Sequence, residues 1–277
     1  MEPGRQVRCG PLLALLTTCI VSRGTLAAQQ EPALHPVRFS EGVVHGFLEL
    51  HSEGDTLLAH GELIQVPGDS TLVSTIRFFF RDGSRFEETA EFTQHQSFRL
   101  KHYHLIERGP AFAFDLDATL NADGGYSFSS QSHDKDKPEQ DQGRVEAKTP
   151  LGNGLPLILA KNLKAGDSTA IALVAFTPKP QLITLRVSYA GKDSILVGGH
   201  SEALAHWTLT PDVGGLKGFF AKLLGKLPDP TQVWVATEGA PTIVRVTGPL
   251  YLGPVWRIDL SGARWPNEEH AASATRK

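Results

Sequence analysis

The sequence predicts a mainly β protein: a strongly curved antiparallel sheet, as a half-open barrel or a sandwich, covered by two short helices. Three observations lead there. Long segments alternate apolar and polar residues with the period of two that a half-buried strand requires. Turn signals rich in Gly, Asp and Pro separate these segments at short intervals. Only two segments change to a helical period, and a sheet with one dry face needs a cover that such helices can supply.

The chain has 277 residues, 40% hydrophobic and 21% charged, enough for one large β domain with a core. A net charge of -3 gives no electrostatic footprint for nucleic acid. Arg5 and Arg8, the apolar run from Pro11 to Val21 and the small residues of Thr25-Leu26-Ala27-Ala28 read as a signal peptide cut after Ala27 or Ala28. That run is too short to span a bilayer. The expectation is therefore a periplasmic or secreted protein of the cell envelope with no transmembrane span. Cleavage after Ala28 leaves 24 basic and 29 acidic residues, a net charge of -5. Cys9 and Cys19 both fall in the removed segment. Leu16-Thr17-Thr18 lacks the small residue a lipobox wants before Cys19, which favours a soluble secreted chain over a lipidated one. The organisation expected is a signal peptide over 1–28, a single β-rich domain over 29–262 with halves at 37–149 and 168–262, and a polar tail over 263–277.

In chain order, Val43 to His51 and Thr56 to Gln65 form the first hairpin around Ser52-Glu53-Gly54-Asp55. Ser74 to Arg81 places Ile76, Phe78 and Phe80 on one face and Arg77, Phe79 and Arg81 on the other. Its return strand, Glu87 to Gln94, brings Glu87, Glu88 and Glu91 towards Arg77, Arg81 and Arg85. Phe98 to Glu107 precedes Ala111 to Leu120, where Phe112, Phe114, Leu116 and Leu120 alternate with Asp115, Asp117 and Thr119. Tyr126 to Ser132 follows, and Gln131 to Gly143, with no apolar residue, reads as a long solvated loop. The first helix runs from Asn153 to Leu163, with Asn153 as N-cap and Pro156 in the first turn. Strands resume at Ser168 to Thr177, Gln181 to Ala190, Asp193 to Val197 and Ala203 to Leu209, with Ala190-Gly191-Lys192 as a turn.

Gly214 to Leu227 is the second helix. Leu216, Phe219, Phe220, Leu223, Leu224 and Leu227 make one apolar stripe, with Lys217, Lys222 and Lys226 off it. It reads as a cover for the protein's own sheet, fixed or movable, ahead of a membrane-surface helix. Strands at Gln232 to Thr237, Thr242 to Thr247 and Val255 to Leu260 close the pattern.

Chemistry-bearing motifs are weak. Gly199-His200-Ser201-Glu202-Ala203 lacks the second glycine of a nucleophile elbow and leads into a strand pattern where a helix is required. His102 and His104 share a strand face at a zinc-chelating spacing, yet the pattern supplies no third and fourth ligand; no metal or other cofactor is expected. Asp134, Asp136 and Asp141 miss the spacing of a calcium loop, and Asp115 with Asp117 fits the exposed side of a strand as well as a catalytic pair. The aromatics divide between core packing and a greasy groove. The groove reading takes Phe78, Phe80, Phe112, Phe114, Trp234 and Trp256 from the strands, with Leu216, Phe219, Phe220 and Leu223 from the second helix, as its lining.

The segments RFFFRDGSRFEETAEFTQ (Arg77 to Gln94), FRLKHYHLIERGPAF (Phe98 to Phe112), VAFTPKPQLITL (Val174 to Leu185) and GPLYLGPVWRIDL (Gly248 to Leu260) resemble a group of uncharacterised exported bacterial β-rich proteins. In arrangement the pattern is similar to the periplasmic lipoprotein carriers and their outer-membrane receptors, half-barrels capped by helices that hold acyl chains. That resemblance implies a non-enzymatic carrier for a lipid or other apolar ligand. The alternatives are a structural or interaction module of the envelope with a protein partner and, further off, an envelope hydrolase using Ser201 or a metal at His102 and His104.

Overall fold

The computed structural model describes residues 35–134, 137–176, 180–197, 200–212, 214, 229–250, 253–261 and 263–264. The second expected helix lies outside them, apart from Gly214. In the first half of the chain the strands are β1 (Val44–Ser52), β2 (Leu57–Pro67), β3 (Thr71–Phe80), β4 (Arg85–Gln94), β5 (Phe98–Arg108), β6 (Phe114–Asn121), β7 (Gly125–Ser132) and β8 (Glu139–Arg144). After helix α1 (Pro156–Asn162) come β9 (Ser168–Ala175), β10 (Gln181–Val197), β11 (His200–Asp212), β12 (Thr231–Ala236), β13 (Thr242–Gly248), β14 (Trp256–Leu260) and β15 (Ala263–Arg264).

The strands build one antiparallel sheet in the order β15-β10-β11-β12-β13-β14-β1-β2-β3-β4-β5-β6-β7-β8, with β9 added to β10. Nearly every neighbour is a chain neighbour, so hairpins set the register. There are two exceptions: Leu48 to Ser52 of β1 pair with Leu260 to Trp256 of β14, and Leu196 and Val197 of β10 pair with Arg264 and Ala263 of β15.

This corrects the expected fold. Among the described residues the hydrogen-bonded path is open, ending at β8 on one side and at β9 and β15 on the other, so these strands form no closed barrel. The strands form one continuous hydrogen-bonded sheet rather than the two separate sheets of a sandwich. The sheet is not the strongly curved shell that was predicted, and the described residues contain one helix. The pattern misled for a physical reason: alternation reports a wet and a dry face, and a sheet carries that signal whether it is open, rolled or closed.

Local predictions fare better. On β3, Phe78 and Phe80 are buried while Phe79 is exposed, and Leu116, Ala118 and Leu120 form the buried phase of β6. These inward phases join residues of α1 in a single core cluster. Gly61 is required by that packing: a Cβ there would lie 2.4 Å from the Phe78 ring and 2.4 Å from the Arg77 carbonyl oxygen. Two readings of connections are overturned. Ala190-Gly191-Lys192 is no turn; β10 runs straight through it, with a bulge between Tyr189 and Gly191 at a positive φ of 150°. The polar stretch up to Gly143 includes most of β8, which is exposed at every position and held to β7 chiefly by backbone pairing along its length.

Candidate functional site

The helix α1 rests on the dry face, held there by polar contacts at its C-terminal end and by a clamp just before its start. Asn162 Oδ1 accepts hydrogen bonds from the Arg38 and Phe39 backbone N–H groups, each at 2.9 Å. Lys161 forms a buried ion pair with Glu41. Glu41 is fixed in turn by Gln94, whose Oε1 accepts from the Glu41 N–H at 2.9 Å and whose Nε2 donates to the Glu41 carbonyl at 3.2 Å. The segment 38–41 thus straps the helix to β4. On the other side, Asn153 does not cap the helix, as was expected; the N-cap is Leu155, without a side-chain hydrogen bond. Asn153 is instead a clamp to β9, donating to the Val174 carbonyl and accepting from the Val174 N–H, both at 2.9 Å. The turn between clamp and helix needs Gly154, which has a φ of 76° and would place a Cβ 2.5 Å from Ala90.

Beside the helix lies a recess of about 240 Å³, lined mostly by apolar side chains including Leu63, Ile76, Leu157 and Ile258. That is larger than an engineered cavity of ~150 Å³ known to hold benzene, and somewhat below the ~300 Å³ at which drug-sized sites begin. Its polar lining includes Gln65, Glu88, Tyr103 and Lys161.

Glu88 was expected to meet arginines across the strands, and it does not. Glu87 does so, bonded to Arg77 at 3.1 Å and to Arg85, while Glu91 pairs with Lys101 at 2.7 Å. Glu88 shares its phase with Phe86, Ala90 and Phe92 and faces the core side. It keeps partial surface exposure, although protein encloses it; the exposed surface is the part that lines the recess. Burial pushes its carboxyl up to about 7, opposed in part by a hydrogen bond with Tyr103. Glu107, in the same phase of β5 as Tyr103 and Leu105, stands opposite Phe86 and is 2% exposed. Burial first, and the neighbouring Glu88 second, push it up to about 8. Glu107 Oε1 accepts no hydrogen bond from the described residues, and neither does Oε1 of Gln65, also 2% exposed. Strand parity carried this signal: Phe86, Glu88, Ala90 and Phe92 alternate strictly with Glu87, Thr89 and Glu91.

The predicted ligand-lining residues lie elsewhere. Phe80, Phe112 and Trp256 are buried against one another, with ring centroids 5.4 to 6.1 Å apart, and Phe78 is fully buried beside Phe86. Phe114 and Trp234 are half-buried; Trp234 stacks on His206 at 4.5 Å and donates from Nε1 to Asp193 at 3.2 Å. None of these six lines the recess. Leu216, Phe219, Phe220 and Leu223 lie outside the described residues.

The weaker motifs can also be placed. His102 and His104 share hydrogen bonds with Asn121 at 3.0 Å and Asp117 at 2.9 Å. Among the described residues no three His, Cys, Asp or Glu side chains group as metal ligands would. Asp117 also binds Arg108 at 3.1 Å, and Asp115 accepts from the Gly109 N–H at 2.8 Å. Asp134 bonds Ser132, Asp141 lies on β8 and accepts from the Tyr126 hydroxyl at 3.0 Å, and Asp136 is outside the described residues. Ser201 sits in strand β11 opposite Leu196. No described helix is long and apolar enough to cross a membrane.

On the outer face, Phe47 of β1 and Phe79 of β3 are 62% and 53% exposed, and Val66 faces Val73 across β2 and β3, both exposed. The rings flank the ion-paired row of Glu62, Arg77 and Glu87.

No family model matches the chain, and no curated protein matches it. Among solved structures it is weakly similar to the crystal structure of a beta-barrel-like protein of domain of unknown function DUF1849 from Brucella abortus. The identity is 11% and the TM-score 0.47, over 80% of this chain and 97% of that one.

Proposed function

We propose that the protein is a non-enzymatic interaction module of the cell envelope, acting by binding a protein partner through the outer face of β1 to β3. The observation that supports it is the exposed set of Phe47, Phe79, Val66 and Val73 around a row of ion pairs. Aromatic anchors within a polar surround are the usual composition of a protein-binding surface. The signal-peptide reading of residues 1–28 supports the envelope as the location. A photo-crosslinking phenylalanine analogue at position 79, irradiated in intact cells, should give one discrete higher-mass adduct that a probe at Gln140 on β8 does not give. The same adducts at both positions, or none at position 79, would sink this reading.

The recess beside α1 supports a second reading, a carrier for an apolar molecule. Native mass spectrometry of protein taken from the envelope should then show a bound species that extraction with solvent removes. The mass of the bare chain, with no uptake of lipid from vesicles, would dismiss it.

A further inference from the structure

Hydrogen-bonding capacity on the recess side of β2 to β5 is lopsided. The unfilled atoms among the buried side chains of these strands, Gln65 Oε1 and Glu107 Oε1, are both acceptors. Gln65 already directs its Nε2 to Ser74 Oγ, at 3.5 Å, so the oxygen is what it offers. Glu88 lines the same recess with a carboxyl that faces Ile76 on β3 and Leu105 on β5, its polar neighbour being Tyr103. The cation of this lining, Lys161, is held in its ion pair with Glu41, while Asp229 adds a further carboxylate to the lining. The Glu88 carboxyl, the Asp229 carboxylate and the unfilled Gln65 amide oxygen therefore line an apolar space whose ammonium among the described residues, Lys161, is already neutralised. Apolar walls select an apolar body, and a wall of acceptors selects a donor.

We propose that the recess takes an apolar molecule ending in a protonated amine, with its body against Leu63, Ile76, Leu157 and Ile258 and its head on the Glu88 carboxylate. An ammonium brings three donors and no acceptor, which matches a site rich in acceptors. A carboxylate head would bring a negative charge against the Glu88 carboxyl. A hydroxyl head supplies one donor without the charge. This inference rests on the carrier reading, and it assigns the class of cargo.

Three probes with the same eight-carbon tail separate the alternatives: octylamine, octanol and octanoate, titrated calorimetrically into the full-length protein at pH 7.5. An alkyl amine, like a lysine side chain, stays protonated there. Octylamine should bind at least about tenfold tighter than octanol, the increment of a charge-assisted over a neutral hydrogen bond, and tighter still than octanoate. In Glu88→Gln, with folding checked by circular dichroism, that advantage over octanol should fall below about threefold on the same reasoning. Octanol or octanoate binding as tightly as octylamine to the unmodified protein would overturn the assignment of the head while leaving the carrier reading intact. An amine preference that survives in Glu88→Gln would overturn the role of Glu88. If none of the three binds, the carrier reading falls and the proposal falls with it.

Discussion

Raising the pH from 6.5 to 9 should destabilise this protein, and the buried acids Glu88 and Glu107 set the sign. Each has a folded-state value, about 7 and about 8, above the 4.5 of an exposed glutamate. Above pH 6 the unfolded chain holds almost no proton on either group, while the folded chain still does. Stability therefore falls as pH rises through the folded values. Integrating proton uptake over this window gives a loss of about 1 kcal/mol from Glu88 and about 2 kcal/mol from Glu107, roughly 3 kcal/mol together. His35, whose pKa burial lowers, acts with the opposite sign as pH rises through its ordinary 6.5, so within the window it offsets at most about 0.4 kcal/mol. Tyr126 is raised from 10 and titrates above the window. With a urea slope of about 2 to 3 kcal/mol per molar, the unfolding midpoint should drop by roughly 1 to 1.5 M between pH 6.5 and 9. Urea titrations followed by tryptophan fluorescence measure it directly. The double variant Glu88→Gln/Glu107→Gln should have a nearly flat profile and should exceed the unmodified protein in stability at pH 9. A midpoint that stays level or rises across the window, or an equal fall in the double variant, refutes the reasoning.

Two further perturbations follow from packing. Gly61→Ala places a methyl group into the Phe78 ring and the Arg77 carbonyl, each 2.4 Å away, and should cost about 1 to 3 kcal/mol in chemical denaturation, as overpacking does; a change under 0.5 kcal/mol would contradict the contact. Lys161→Met removes one partner of a buried ion pair and strands Glu41, which should cost about 3 to 5 kcal/mol, while adding Glu41→Leu should recover much of the loss. Equal stability of the single and double variants would show that the pair is not what holds the strap.

What could be read from the sequence was the alternation, and what could not was everything alternation leaves undetermined. Phe78 and Phe80 against Phe79 separate correctly because a period of two maps directly onto burial. The same rule puts Glu88 inside, since it alternates with Glu87 and Glu91, whereas opposite charge across a hairpin points it outward and is the weaker signal here. Strand β8 was invisible, because Glu139 to Arg144 contains no apolar residue and an edge strand can be held mainly by its ladder. Gly191 read as a turn because a glycine between polar residues looks alike in a turn and in a bulge. Asn153 read as a helix cap because a clamp to a strand 21 residues away has no local signature. The aromatics suggested a groove, yet the recess is lined largely by aliphatic residues, with the rings of Phe80, Phe112 and Trp256 packed on one another away from it. Global shape is the least legible quantity of all, since identical hairpins build open, rolled and closed sheets.

The two inward carboxyls tie stability to function in a way the experiments can separate. Leucine at positions 88 and 107 would satisfy the dry face of β4 and β5 and remove two ionisable groups from an apolar setting, so packing alone gives no reason for acids there. Tyr103 satisfies Glu88 only in part, and Glu107 Oε1 is left without a donor from the described residues. If the double glutamine variant is more stable at pH 9 and keeps the same ranking of the eight-carbon probes, the acids are a cost without a use in binding. If it is more stable and loses the preference for the amine, the cost is what makes the recess selective, because the desolvation that raises both pKa values is the same desolvation that would make a bound ammonium favourable.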